Sequence, residues 1–406
     1  MDSNAGQQEP RYGWVMVAIT PLFVGLATGG IEVSVFLKPI GQELGWLRGQ
    51  TAFGYLIGTL ALGMGGILMG YLADKYSTRR VVTVGVLVLA TGYLALSQQH
   101  ALWQFYGSYV LLGGFGAAAI FAPMMANVGG WFSKRRGLAI GLTTAGQALA
   151  QGGVPYVSAL IIAGFGWRSA YAVLGITSLV VLLPLTLLIK QPPKAAVGAK
   201  AGSQEYLMVP ALPSLALLSA AAVFCCITMA SPLVHVVALS SDAGLSSEAA
   251  ARVLLVLMIS GIFGRITFGR LADTVGPLRT YLLCSFWQTA LVFWFTRLAT
   301  PGQFYLMAAV WGFGFAGVMT GLLLCAQRFA PPSRTGIATG VVTFFGWIGM
   351  GVGGFQAGAF YDMTGNYVQS YANAAMAGTI NLSILIALYI YRSRRMAMAT
   401  PALKAA

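Results

Sequence analysis

Apolar residues run along this chain rather than alternate. From Tyr12 onward, nearly uncharged stretches of about 19–28 residues recur between short polar breaks. A membrane-crossing helix needs about 20 such residues. The pattern predicts twelve spans: 13–37, 49–73, 80–98, 103–129, 137–163, 168–190, 211–238, 249–272, 278–297, 304–328, 336–362 and 367–391. The first run is too long for a signal-peptide core, so it is expected to remain as a helix.

The one long polar break, QPPKAAVGAKAGSQEYLM at 191–208, divides the chain into an N-terminal bundle (1–190), a linker (191–208) and a C-terminal bundle (209–406). Composition agrees with the pattern: 57% of residues are hydrophobic and 8% charged, and mean hydropathy is +0.76. These values lie far from those of a soluble domain. The net charge of +14 could suggest nucleic acid, but the basic residues fall in clusters between spans: Lys75/Arg79/Arg80, Lys134/Arg135/Arg136, Lys190/Lys194/Lys200 and Arg392/Arg394/Arg395. With loops assigned alternately, 18 Lys/Arg lie on the side carrying both termini, five on the other, and Arg265 stays inside a span. That bias predicts cytoplasmic termini and no nucleic-acid role. Cys225, Cys226, Cys284 and Cys325 all sit in apolar runs without metal-ligand spacing.

The two halves repeat at a constant offset of 199 residues. Gly70–Tyr–Leu–Ala–Asp74 falls on Gly269–Arg–Leu–Ala–Asp273. Glu43 and Gly45 fall on Asp242 and Gly244, and Gly113 on Gly312. Gly137, Ala139 and Gly141 fall on Gly336, Ala338 and Gly340. The expected fold is an all-α membrane protein, twelve transmembrane helices in two parallel six-helix pseudo-repeats, the build of a transporter that rocks about a central site.

At GYLADKYSTRR (70–80) and GRLADTVGPLR (269–279) the sequence resembles the major facilitator superfamily. RYGWVMV (11–17), WFSKRRGLAIGLTTAGQALAQGG (131–153) and GWRSAYAVLG (166–175) are similar to the monocarboxylate transporter family and its bacterial oxalate/formate-exchanger relatives. The resemblance implies that Arg265, on the family's helix 8 arginine, binds a substrate carboxylate. It also implies that Asp74 latches the cytoplasmic side against the start of helix 11, with Gly70, Arg79, Arg80, Gly269 and Asp273 completing the gating motif. The chain departs from the animal members at Gly261, where they carry aspartate, and at Ile31, where they carry lysine. Phe121 stands where the family often has tyrosine.

The residues point to Arg265 independently. A charge near the bilayer centre costs roughly 2.5–3.5 kcal/mol and usually serves a polar cavity. Its repeat counterpart is Gly66, so the fold itself does not require a charge there. The alternative is an arginine snorkelling toward the headgroups. At 1.5 Å per residue, Arg265 lies roughly 7 Å on the cytoplasmic side of its span's midpoint. Phe121, Thr320 and Phe344 lie about 6–8 Å, and Gln147 about 4–5 Å, to the same side. They join Arg265 as substrate-site candidates, with ordinary helix packing as the alternative. Glu32 and His235 are the proton-coupling candidates. Glu32 is about 10 Å to the outer side and roughly 17 Å from Arg265 in depth, too far for direct pairing. It suits a proton carrier or a wetted vestibule residue. His235, which titrates near neutral pH by type, fits a gate or an idle headgroup-level position.

The expected function is secondary transport of a small organic anion, a lactate- or pyruvate-like monocarboxylate, by proton symport in a bacterial cytoplasmic membrane. Carboxylate exchange is one alternative, and efflux of hydrophobic or cationic compounds through Glu32 another. A sensor is disfavoured because no signalling domain is appended. No nucleophile–base set, metal cluster or nucleotide-binding loop is present, which argues against an enzyme and against ATP-driven pumping. The expected partners are the anion, protons and the lipid bilayer, with no cofactor and a functional monomer.

Overall fold

The 199-residue offset is also the offset of the helix starts. The computed structural model describes residues 11–29, 33–132, 136–192, 209–331 and 334–405. In the first half, α1 is Tyr12–Gly29, α2 Leu37–Leu44, α3 Arg48–Tyr76, α4 Thr78–Ser97 and α5 Leu102–Trp131. A helical run from Arg136 then turns sharply at Gly166 (φ 81°, ψ 165°), giving α6 (136–165) and α7 (167–188). In the second half, α8 is Ala211–Asp242, α9 Ser247–Val275, α10 Pro277–Val292, α11 Pro301–Phe329, α12 Thr335–Thr364 and α13 Val368–Ala405. Tyr12 and Ala211, Arg48 and Ser247, Thr78 and Pro277, Leu102 and Pro301, and Arg136 and Thr335 are each 199 apart.

The turns repeat as well. Left-handed backbone recurs at Gly45 and Gly244, at Ser77 and Gly276, and at Gly166 and Gly365. Such φ values favour glycine, and Ser77 (φ 135°) is the one described non-glycine residue to adopt them. Close crossings repeat too. Gly113 and Gly312 press against the carbonyls of Gly58 and Leu257, and Gly65 and Gly264 against those of Gly114 and Phe313. Without a hydrophobic drive between helices in lipid, small residues that let backbones approach closely are what hold a span pair together.

Nine of the described helical segments are long and apolar enough to cross a membrane, one of them the kinked pair α6–α7. Adding α1 and α10, the latter prolonged by the 3₁₀ turn Phe293–Arg297, gives twelve spans. Within the first predicted span, α1 is described to Gly29, and beyond it Lys38, Gln42 and Glu43 belong to the short amphipathic α2. The last helix is longer, running to Ala405.

The halves meet along two seams, α3 with α12 and α6 with α9. On the first, Gly351, Gly354 and Gly358 of α12 lie against Leu56, Tyr55 and the Arg48–Gly49 backbone of α3. On the second, Gly152 of α6 lies against Leu255 and Met258 of α9. The end bearing both termini is called the terminal face below, and the opposite end the distal face. Gly113→Val and Gly264→Val force a side chain into a facing carbonyl. They are expected to cost about 1–3 kcal/mol and lower the thermal midpoint by roughly 1–4 °C. Gly302→Ala, with open space around it, is expected to leave the midpoint unchanged in the same scan of purified protein.

Candidate functional site

Arg265 follows Gly264, whose contact with Phe313 of α11 fixes the rotation of α9. Its side chain crosses the seam between the halves, and Nη1 donates to the backbone carbonyl of Thr144 on α6. It is half-buried, and no carboxylate forms an ion pair with it among the described residues. A guanidinium has five N–H donors in a planar fork. A neutral carbonyl takes up one of them, which leaves the fork able to grip a carboxylate bidentately. At its counterpart Gly66, an added Cβ would meet only Ala122, at 4.0 Å. The charge is therefore a property of one half and not of the fold.

The other candidates divide between the two seams. Gln147, buried, stands one turn along α6 from Thr144. Thr320, half-buried on α11, faces Gly269, one turn along α9 from Arg265. Phe121 and Phe344 belong to the α3–α12 side. Phe344 lies over Gly63 of α3, and Phe121 packs edge-on against Trp347 of α12, ring centroids 6.0 Å apart. Trp347 was not among the sequence candidates, although its spacing of three from Phe344 puts both on one helix face. Glu32 and Ile31 lie outside the described residues.

His235 is fully buried inside a polar cluster that joins the halves at the distal face. The Arg48 guanidinium of α3 grips Asp242 of α8 through Nη1–Oδ2 (2.6 Å) and Nη2–Oδ1 (3.0 Å). It also stacks 3.7 Å over the Tyr361 ring and donates to Tyr367 Oη at 2.8 Å. Lys38 Nζ reaches Asp242 at 2.8 Å and Ser241 at 3.1 Å. His235 Nε2 lies 2.8 Å from the Gly354 carbonyl, and Nδ1 lies 3.0 Å from Tyr367 Oη. A carbonyl only accepts, so Nε2 carries a proton and donates it to Gly354. Asp362 at the end of α12 accepts from the backbone N–H groups of Arg48 (3.0 Å) and Gly49 (2.6 Å). Within the first half, Glu43 binds Arg168 (2.9 Å) and Trp167 (2.6 Å).

The gating-motif residues occupy the terminal face. Asp74, Arg79, Arg80 and Asp273 are exposed, and Gly70 and Gly269 half-buried. No hydrogen bond or ion pair among the described residues joins Asp74 to the start of α12. The halves are tied together at the opposite, distal end.

The chain matches the family model described as Major Facilitator Superfamily over residues 17–354. It is 26% identical to monocarboxylate transporter 11 of Homo sapiens, covering 93% of this chain and 83% of that one. It is 24% identical to an uncharacterized MFS-type transporter of Bacillus subtilis, over 88% and 91%. With the agnestins efflux protein of Paecilomyces divaricatus it shares 26% identity, over 68% of this chain and 64% of that relative's length. Among solved structures, a bacterial homologue of the human lysosomal transporter Spinster, inward-facing and occupied, superposes with TM-score 0.72 at 17% identity, covering 96% and 98%. The nucleoside transporter NupG gives 0.74 at 14% identity, covering 92% and 99%.

The distal cluster carries a pH signature. Burial pushes the Asp242 carboxyl up, but the hydrogen bonds from Arg48 and Lys38 outweigh it and hold the group below its ordinary range. A depressed carboxyl contributes its tie above the ordinary value of about 3.9 and loses it as pH falls through the lowered value. Distal closure is expected to be constant between about pH 5 and 8 and to weaken only below about pH 4. Distances between labels on the two distal ends, measured across that range, check it.

Proposed function

The chain belongs to the major facilitator superfamily, and on that footing we propose that it moves a small organic monocarboxylate across the membrane by alternating access, with Arg265 as the substrate's fixed positive partner. One observation carries the proposal. The Arg265 guanidinium stands on the seam between the halves, donates to a neutral carbonyl, and has no acid in an ion pair with it among the described residues. A carboxylate bound there touches both halves at once, so its binding energy bears on their relative position. The monocarboxylate transporters among the relatives support this choice of anion. Gln147, one turn along α6 from Thr144, and Thr320, facing Gly269 one turn along α9 from Arg265, are its proposed polar contacts. Phe121 and Phe344, with Trp347 packed against Phe121, belong to the opposite seam.

The terminal face is cytoplasmic on the balance of basic residues, in a bacterial cell membrane. Proton symport makes transfer of an anion electroneutral, and moving one charge against 100 mV costs about 2.3 kcal/mol. Anion exchange is the second reading, favoured by the same isolation of Arg265. An arginine with no ion-paired acid among the described residues has no counter-charge there on the empty return stroke, and a second carboxylate supplies one.

In proteoliposomes, an inward proton gradient is expected to drive lactate or pyruvate uptake. Arg265→Gln removes a charge-assisted pair of about 1.5–3 kcal/mol, so uptake should fall roughly 10–150-fold. Uptake that requires a lumen preloaded with carboxylate indicates exchange instead. Carboxylate uptake unaffected by Arg265→Gln contradicts both readings. Loss of cationic-drug transport in Glu32→Gln, without carboxylate uptake, points to efflux.

A further inference from the structure

We propose that Asp362 is a removable N-terminal cap for α3, and that making and losing this cap switches the distal face between shut and open. The first amides of any helix have no partner within it and take one from a side chain or water. On α9, Ser246 does this locally, its Oγ accepting from Ala249 N at 3.2 Å. The position 199 residues earlier is Leu47, which has no side-chain acceptor. Its own N–H is taken by Gln50 Oε1 at 3.0 Å. The amides of Arg48 and Gly49 turn instead to Asp362, a carboxylate on the last turn of α12 in the other half. The repeat counterpart of Asp362 is Ala163, so the α6–α9 seam has no such device.

This cap exists only while the distal ends are together. Gly358 lets the α3 backbone rest directly on α12, bringing the carboxylate onto the helix axis, where the macrodipole adds to the hydrogen bonds. Separating the halves strips α3 of the cap, and Leu47 offers no replacement. The same helix pair is built alike at its other end. The residue preceding α12 is Arg334, which makes no side-chain cap, and Asp74 lies in the last turn of α3 on that face. The two helices run antiparallel, so the acid near each C-terminal end lies on the same face as an N-terminus of the other that lacks its own cap.

The inference rests on alternating access but not on the identity of the substrate, and its test uses none. Spin labels replace Trp103 and Leu306, which are 75% and 67% exposed near the distal starts of α5 and α11. The four native cysteines are buried. The distance distribution is then read by pulsed electron resonance. Asp362→Ala is expected to move the ratio of short to long distances about tenfold toward long, the size of a lost helix cap. Asp362→Asn, which keeps an acceptor, shifts it less. Leu47→Ser gives α3 a cap of its own and is expected to favour the long distance with Asp362 intact. Ser246→Ala, which removes a cap present in both states, leaves the ratio where it was. An unchanged ratio in folded Asp362→Ala, or in Leu47→Ser should the alanine variant fail to fold, overturns the proposal. A Leu47→Ser shift toward the short distance overturns it as well. Loss of carboxylate uptake through Arg265 with these distances unaffected separates the two accounts.

Discussion

A guanidinium within the thickness of a bilayer must find polar company, and Arg265 finds it across the boundary between the two halves. Its hydrogen bond to the Thr144 carbonyl places this intramembrane cation on the surface between the halves. Helix packing around it follows from that placement. Gly264 brings α9 against α11 and sets the direction of the side chain, while Gly152 brings α6 and α9 close enough for the guanidinium to span the gap. The charge is costly to insert; under the proposed function, a carboxylate that joins it would offset the cost on both halves together and so couple binding to their relative position.

The repeat shows where the chain was free to specialise. Helix starts, left-handed turns and close crossings obey the 199-residue offset almost to the residue, so these features belong to the fold. The departures lie at the seams. Arg265 faces α6 where its counterpart is Gly66. Asp362 caps α3 where its counterpart is Ala163. Glu43 binds Arg168 within its own half, while Asp242 at the equivalent place reaches across to Arg48 and Lys38 in the other. A carrier built from two similar bundles needs one binding site and one closure at each face, and a symmetric chain would duplicate or cancel them.

Much of this was legible in the sequence, for physical reasons. Twelve apolar runs and their offset set the fold because a bilayer demands length and composition above all. Arg265 stood out because charge inside such a run is rare. The distal cluster was harder to foresee. Arg48, Asp242, Asp362 and Tyr367 sit at span ends, where charged residues are ordinary, and only tertiary contact separates a gate from a solvated loop. Leu47 gave no signal by itself, since a missing cap is visible only beside its capped counterpart Ser246. The packing around His235 was not foreseen because depth along a helix says nothing of what surrounds a side chain. Trp347 went unremarked because an aromatic in an apolar run is usually ordinary packing.

The most direct test is to locate a bound carboxylate. A structure of the purified protein with 3-bromopropionate, the bromine found by its anomalous signal, should place the ligand beside the Arg265 guanidinium, between α6 and α9, with Nη1 released from the Thr144 carbonyl or shared with it. Bromine found only at the distal Lys38–Arg48 cluster or on the outer surface, with Arg265 still held by Thr144 alone, would contradict the account.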